Sequence, residues 1–381
     1  MLRLPPFRFV QARSLAEAAA ILAEGTAEGA PRVRLVAGGT DLWPNMKRRH
    51  QKAATVVSLM GIPDLAGIHT NGEGKEEIRI GATTLLADIA AHPALAGRYP
   101  AFVRAVEAIS SPPLRHMGTL GGNLCVDTRC TYYNQTEEWR RSIDYCLKAE
   151  GTVCWVAPGS ARCLAHSASD SAPMLAALGA RVTLLSPAGE RDLPVETLYK
   201  DDGIDYLGKR PDEILTGILL PPDSDATACR SAFWKLRRRG SIDFAVLSAA
   251  ACVWTDPAGV VLRARIYLGA VASAPVAATA AAESLLDKPL SEASIATAAD
   301  PLFPSSVLIA KAVRAPRLRA PLGAGIFFDS RDYLLFQGTS QLAGRSVPRG
   351  AHPRKRRIAP QRQVPGHLPP TWRPRSRVVA T

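Results

Sequence analysis

Four cysteines, Cys130, Cys146, Cys154 and Cys163, follow a glycine turn, Thr119-Leu120-Gly121-Gly122-Asn123, in a chain of 381 residues. Their spacing, C-x15-C-x7-C-x8-C, lacks the closely spaced Cys pairs of most structural zinc sites. Iron–sulfur clusters accept wider spacing, because several irons spread the thiolate ligands apart. The connecting segment is polar and contains Gly and Ser, a poor setting for four thiols acting as inert hydrophobes. Cys229 and Cys252 are expected to be buried thiols of that inert kind, Cys252 within the apolar run 248–253. Cys125 lies near the four but outside their pattern. Glycine lets backbone amides approach an anion closely and form a concave nest around it. A similar turn, Ala37-Gly38-Gly39-Thr40-Asp41-Leu42, comes earlier in the chain, and two such turns match the two phosphates of a dinucleotide. The G-x-G-x-x-G fingerprint of another dinucleotide fold is absent at both places. A phosphate cradle beside a four-thiol metal site implies electron transfer.

Elements must hold these residues in place. Ser14-Leu15-Ala16-Glu17 reads as a capping box opening an Ala/Leu-rich helix that Gly25 ends. Residues 32–36 alternate as a strand that runs into the first glycine turn, and Val56–Leu59 is a second strand. Ile78–Ala82 is a strand, Thr84 is placed to cap a helix over 85–91, and another helix covers 101–109. After the cysteine segment, Ser169-Asp170-Ser171-Ala172-Pro173 opens a helix through Leu178, with Ser169 or Asp170 as its cap. Strands at 181–185 and 213–220 follow, and Pro221-Pro222 marks a boundary. Beyond it, Phe233-Trp234-Lys235 and strands at 245–254 and 262–271 precede an Ala-rich helix over 277–286.

Four motifs, taken in order, resemble the FAD-binding subunit of the xanthine oxidase (molybdenum hydroxylase) family over about residues 1–299. These are A-G-G-T-D-L at Ala37–Leu42, the run Arg115-His116-Met117-Gly118 leading into Thr119–Asn123, S-D-x-x-P at Ser169–Pro173, and Lys235 ahead of Arg238, Arg239 and Asp243. His116 stands where the family usually has Asn. The resemblance implies an α+β fold: a two-lobed FAD-binding domain of PCMH type, followed by a small α+β domain. Residues 1–58 would be a βαβ lobe, 59–222 a larger α+β lobe with an iron–sulfur insertion at about 124–168, and 223–310 the C-terminal domain. The resemblance assigns FAD to Leu35, Val36, Ala37, Gly38, Gly39, Thr40, Asp41, Leu42, Thr119, Leu120, Gly121, Gly122, Asn123, Asp170, Leu215 and Lys235. Most members join the second glycine turn to S-D-x-x-P by a short connection, whereas here 46 residues separate Asn123 from Asp170. This insertion, with the run Asp127-Thr128-Arg129-Cys130-Thr131-Tyr132-Tyr133-Asn134-Gln135, is similar to that of 4-hydroxybenzoyl-CoA reductases. It implies a [4Fe–4S] cluster on Cys130, Cys146, Cys154 and Cys163, with Tyr132, Tyr133, Trp139 and Trp155 as shields. The implied partners are a molybdenum-cofactor subunit, a [2Fe–2S] subunit and a ferredoxin-like donor, with electrons relayed between them and no catalytic residue on this chain. A hydroxylase acting on another aromatic substrate remains the alternative, and a structural zinc or thiol module a more distant one.

The net charge of +13 says little about partners of the main body, because Lys311 onward carries 15 Lys/Arg against 2 Asp/Glu. The preceding 310 residues carry 32 of each sign. Residues 345–381, rich in Arg and Pro, read as a disordered tail rather than a nucleic-acid arm, and the loss of pattern near Asp300 resembles translation out of frame. No apolar stretch reads as a secretion signal or membrane span, so a cytoplasmic protein is expected, where clustered thiols favour metal over disulfides. No Ser-His-Asp set or carboxylate pair suggests hydrolysis, and neither His116 nor His166 is assigned a role.

Overall fold

A computed structural model describes residues 2–26, 32–70, 77–222, 228–240 and 242–299, together with two strands at 324–328 and 334–338. The first lobe is built from β1 (Arg8–Gln11), α1 (Leu15–Glu24), β2 (Val33–Val36), α2 (Leu42–Lys47) and β3 (Thr55–Ser58). Its three strands pair in parallel in the order β1-β3-β2. Ser14 caps α1, with Glu17 N–H donating to Ser14 Oγ at 3.1 Å, while the Glu17 carboxylate reaches past the cap residue and accepts from Arg13 N–H at 2.8 Å. Ala18, Ala19 and Leu22 of α1 pack on Val57 and Leu59. β1 and α2 were not expected from sequence. β1 carries Pro5-Pro6 just ahead of it, and α2 is six residues long with Pro44 in its first turn, where a missing N–H costs nothing.

The second lobe begins with β4 (Ile68–His69), β5 (Ile78–Gly81), α3 (Leu86–Ala91), α4 (Pro93–Arg98) and α5 (Pro100–Glu107). It continues with α6 (Pro112–Arg115), α7 (Leu120–Leu124), α8 (Glu137–Ser142), α9 (Ser171–Leu178), β6 (Arg181–Ser186), β7 (Gly189–Pro194) and β8 (Ile214–Leu220). Five strands form one antiparallel sheet in the order β4-β5-β8-β6-β7. Thr84 does not cap α3. Its hydroxyl donates to Gly67 O at 3.0 Å, and Leu85 occupies the cap position. Every residue of α9 is buried, as expected of a helix enclosed on all sides.

The third region holds a four-stranded antiparallel sheet of β9 (Ala228–Leu236), β10 (Leu247–Thr255), β11 (Val261–Gly269) and β12 (Val276–Ala277). Helices α10 (Thr279–Glu283) and α11 (Glu292–Ala299) cover part of it. The Ala-rich helix is shorter than expected because Ala277 pairs with Tyr267 in the sheet. Phe233, Ala250, Cys252 and Trp254 of this sheet share one core with α5 and α9. Cys252 is fully buried, as expected, but Cys229 is exposed. Farther on, β13 (Ala324–Phe328) and β14 (Leu334–Gly338) pair antiparallel inside the stretch read as a basic tail. The rest of residues 311–381, and the loss of pattern at Asp300, lie outside the described residues.

Candidate functional site

A cleft of about 630 Å³ runs between the first lobe, the second lobe and the start of the third region. Its first wall is the turn leaving β2. Gly39 holds φ at +70°, a left-handed conformation that glycine adopts without penalty. A Cβ on Gly38 would overlap the carbonyl of Met117, so the first turn touches the segment that leads into the second. The turn closes when Trp43 N–H donates to Gly39 O at 3.1 Å. Among the described residues no acceptor takes the amides of Gly38, Gly39 and Thr40. They are the amides this turn leaves open to the cleft.

The second turn is built differently from expectation. Leu120 N–H donates to Thr84 O at 3.1 Å and Gly121 N–H to Ala82 O at 2.9 Å, while Gly122 N–H donates to the capping hydroxyl of Thr119 at 3.1 Å. Its amides are thus engaged within the protein. A Cβ on Gly121 would strike Ala82 and Leu215, whereas one on Gly122 would meet only Thr119 Oγ. Gly121 therefore lets α7 sit on β5, and Gly122 offers a bare surface to the cleft. Leu120 is buried in the core and does not line the cleft. The other expected residues, Leu35 to Leu42, Thr119, Gly121, Gly122, Asn123, Asp170, Leu215 and Lys235, all line the cleft.

At the inner end a buried ion pair joins two distant motifs. Lys235 Nζ donates to Asp170 Oδ2 at 2.6 Å and to Ala108 O at 3.0 Å. Burial pushes the Asp170 carboxyl up to about 6, with the Lys235 cation opposing it. Asp170 does not cap α9; Ser169 Oγ does, accepting from Ala172 N–H at 3.2 Å. Asn123 Oδ1 accepts from Ser169 Oγ at 2.9 Å and Ser171 Oγ at 2.6 Å. The second glycine turn and S-D-x-x-P are thereby fastened together, and the 46-residue insertion is a loop tied at its base.

The neck of that loop is closed again by backbone. Arg129 and His166 exchange N–H···O bonds, both 2.8 Å, which brings Cys130 and Cys163 to the same end of the loop. Cys146, Cys154 and Cys163 are buried, Cys130 is half-buried, and all four are free thiols. Burial raises the Cys130 thiol, with smaller contributions from Cys146 and Cys154. Burial pushes Cys163 up to about 11, and Cys154 and Cys130 add to the shift. Among the described residues no three His, Cys, Asp or Glu groups converge to hold a single metal ion. Within the loop, Tyr133 is buried and Tyr132 and Trp155 are half-buried, but Trp139 is exposed.

Sequence reasoning missed the charged groups that join loop and cleft. Arg129 and Asp127 both line the cleft. Lys148 Nζ is buried and donates at 2.6 Å to each of Asp127 Oδ1, Thr128 Oγ1 and Gly203 O. It also lies 4.9 Å from the Tyr133 ring centre and 5.3 Å from that of Tyr206. Charged residues inside a polar insertion read as solvated, and the one available signal was the unusual composition of residues 127–135.

Comparison with known proteins places this architecture. The family described as the FAD-binding domain in molybdopterin dehydrogenase matches residues 5–223, and the CO dehydrogenase flavoprotein C-terminal domain matches 231–328. The second match extends beyond the motifs read from sequence. The chain is 30% identical over 259 residues to the FAD-binding subunit of an aldehyde oxidoreductase from Escherichia coli, covering 66% of this chain and 78% of that one. It is 29% identical over 310 residues to the carbon monoxide dehydrogenase medium chain of Afipia carboxidovorans, covering 81% and 87%. The solved structure of reconstituted CO dehydrogenase from Oligotropha carboxidovorans superposes with a TM-score of 0.60 at 26% identity, covering 78% of this chain and 87% of the other.

Proposed function

Because the chain belongs to the family of FAD-binding domains of molybdopterin dehydrogenases, we propose that it is the FAD-binding subunit of a multi-subunit molybdenum hydroxylase of xanthine dehydrogenase type. In this reading it relays electrons and does not touch the substrate. The observation that carries the reading is the cleft itself, which brings all four sequence motifs to one cavity. FAD, when bound, links one-electron and two-electron carriers, and the protein supplies its position and surroundings. The unengaged amides of Gly38, Gly39 and Thr40 would hold the pyrophosphate. Gly122 would allow its close approach. Leu35, Leu42 and Leu215 would exclude water, and the Asp170–Lys235 pair would stand at the inner end of the cofactor. Partners holding the molybdenum cofactor and [2Fe–2S] clusters would accept or supply the electrons, in the cytoplasm.

Cys130, Cys146, Cys154 and Cys163 would hold a [4Fe–4S] cluster. A cubane binds each thiolate to a different iron, so its four ligands need a shared pocket rather than convergence on one point. What supports this reading is four free thiols carried on one loop tied at its base. Metal displaces the protons that burial otherwise keeps on such thiols. This loop also favours a narrower reading, a 4-hydroxybenzoyl-CoA reductase-like enzyme fed by a ferredoxin-like donor.

The test is anaerobic purification of the chain with its partner subunits. One FAD and about four irons and four sulfides should accompany each copy of this chain, as one cubane requires. Serine at any of the four cysteines should lower the iron content, and serine at Cys229 or Cys252 should not. Flavin without iron would remove the cluster and the narrower reading, zinc in place of iron would replace them, and absence of flavin would sink the whole assignment. Reduction of an aromatic acyl-CoA, set against oxidation of aldehydes or N-heterocycles, separates the narrow reading from the broad one.

A further inference from the structure

Arg129 occupies the junction of three parts of the molecule. Its backbone closes the neck of the cysteine loop against His166, one residue before Cys130. Its side chain is buried and reaches out of the loop into the first lobe. There one terminal nitrogen pairs with the Asp41 carboxylate, and the other donates to Asn45 Oδ1 at 3.1 Å. Asp41 and Asn45 are themselves joined by an Asn45 Nδ2 donation of 2.8 Å, and they lie at the start of α2, directly after the Gly38-Gly39 turn. The guanidinium carbon also lies 5.3 Å from the ring centre of Phe244, in the third region. Nε is buried with no partner among the described residues. Other polar contacts follow the same path: Gln51 Nε2 donates to Asp127 Oδ2 at 3.1 Å, Tyr133 Oη to His50 O at 2.8 Å, and buried Arg140 to Arg48 O at 3.1 Å.

A planar fork held by two acceptors fixes both distance and angle, which an ammonium does not. The turn that offers its amides to the cofactor and the loop that carries the thiols are therefore held by one side chain. We infer that Arg129 is a positioning residue that couples the cofactor turn to the cysteine loop, so that FAD in the cleft orders residues 127–166 and order in that loop strengthens FAD binding. Coupling of this kind is reciprocal by thermodynamic necessity. The inference rests on FAD occupying the cleft, and it is independent of whether the thiols hold iron.

The experiment is hydrogen exchange on the full chain in its subunit complex, stripped of FAD and then resupplied with it. In the wild type, FAD should slow exchange in residues 35–45 and, by about ten-fold, in 127–135, within the usual range for coupled sites. In Arg129→Met, FAD should still protect residues 35–45, bind more weakly, and no longer protect 127–135. Arg129→Lys should fall between the two. Arg129→Gln, whose shorter amide cannot span both acceptors, should uncouple the two segments in the same way if Arg129→Met proves too unstable to purify. Equal protection of 127–135 in wild type and either uncoupling variant would overturn the inference while leaving the flavin assignment intact. Absence of protection in 35–45 of the wild type would overturn both.

Discussion

Asp170 shows how one side chain can carry a motif's meaning and be misread by its position. In sequence it stands where a helix cap belongs. In the structure Ser169 caps the helix, and Asp170 faces Lys235, 65 residues away, across the inner end of the cleft. The family pattern identified both residues, but nothing in local spacing could reveal that they meet. Their pairing has a measurable consequence. Burial lifts the Asp170 carboxyl to about 6, above its unfolded value near 4. Between those two values the folded chain keeps a proton that the unfolded chain has released. The group's contribution to stability is thus fully present below about pH 4 and is lost as pH rises to about 6. In the flavin-free chain, wild type should lose on the order of 1–3 kcal/mol relative to Asp170→Asn across that window. Urea unfolding of both proteins at the two ends of the window measures it. A gap that stays constant, or that widens in favour of wild type, would show that the Lys235 cation outweighs burial.

At the scale of elements, the two glycine turns look alike in sequence and do different work. The first has free amides and a left-handed glycine; the second has engaged amides and touches the first through Met117. Gly38→Ala should therefore drive the two turns apart, costing about 1–3 kcal/mol of stability as overpacking does, and should abolish flavin retention. Gly122→Ala should cost about 1 kcal/mol, as its Cβ displaces the Thr119 capping hydroxyl, and weaken FAD by about ten-fold or more, roughly 1.4 kcal/mol per decade. Thermal unfolding and flavin titration of the two variants separate the roles, and equal stability loss in both would mean that Gly122 also serves packing. The main strands, the α1 cap and the order of motifs were legible because alternation, capping and glycine are local signals. β1, α2 and β7 were not, being short and dependent on the partners that cover them. The salt links of Arg129 and Lys148 were least legible of all, since a charge in a polar loop gives no local sign of being buried.

At the scale of the whole molecule, the insertion is the feature on which the proposed electron relay turns. Asn123 holds both of its ends at the cleft through Ser169 and Ser171, and the Arg129–His166 bridge closes its neck. The loop that carries the four thiols leaves the cofactor cavity and returns to it. A cluster held there is expected to exchange electrons with the flavin rather than merely stiffen the loop. Cys146→Ser removes one buried thiol and leaves the cleft residues and Arg129 in place. In the complete complex this variant should keep its FAD and accept electrons from dithionite at the wild-type rate, because a small reductant reaches the flavin directly. Its flavin reduction by reduced ferredoxin should be slowed if, as proposed, electrons enter through the loop. Rapid-mixing spectroscopy at the flavin absorbance follows both reactions in one preparation. Wild-type rates with ferredoxin in an iron-depleted Cys146→Ser complex would mean that the loop is a brace and that electrons enter the subunit elsewhere.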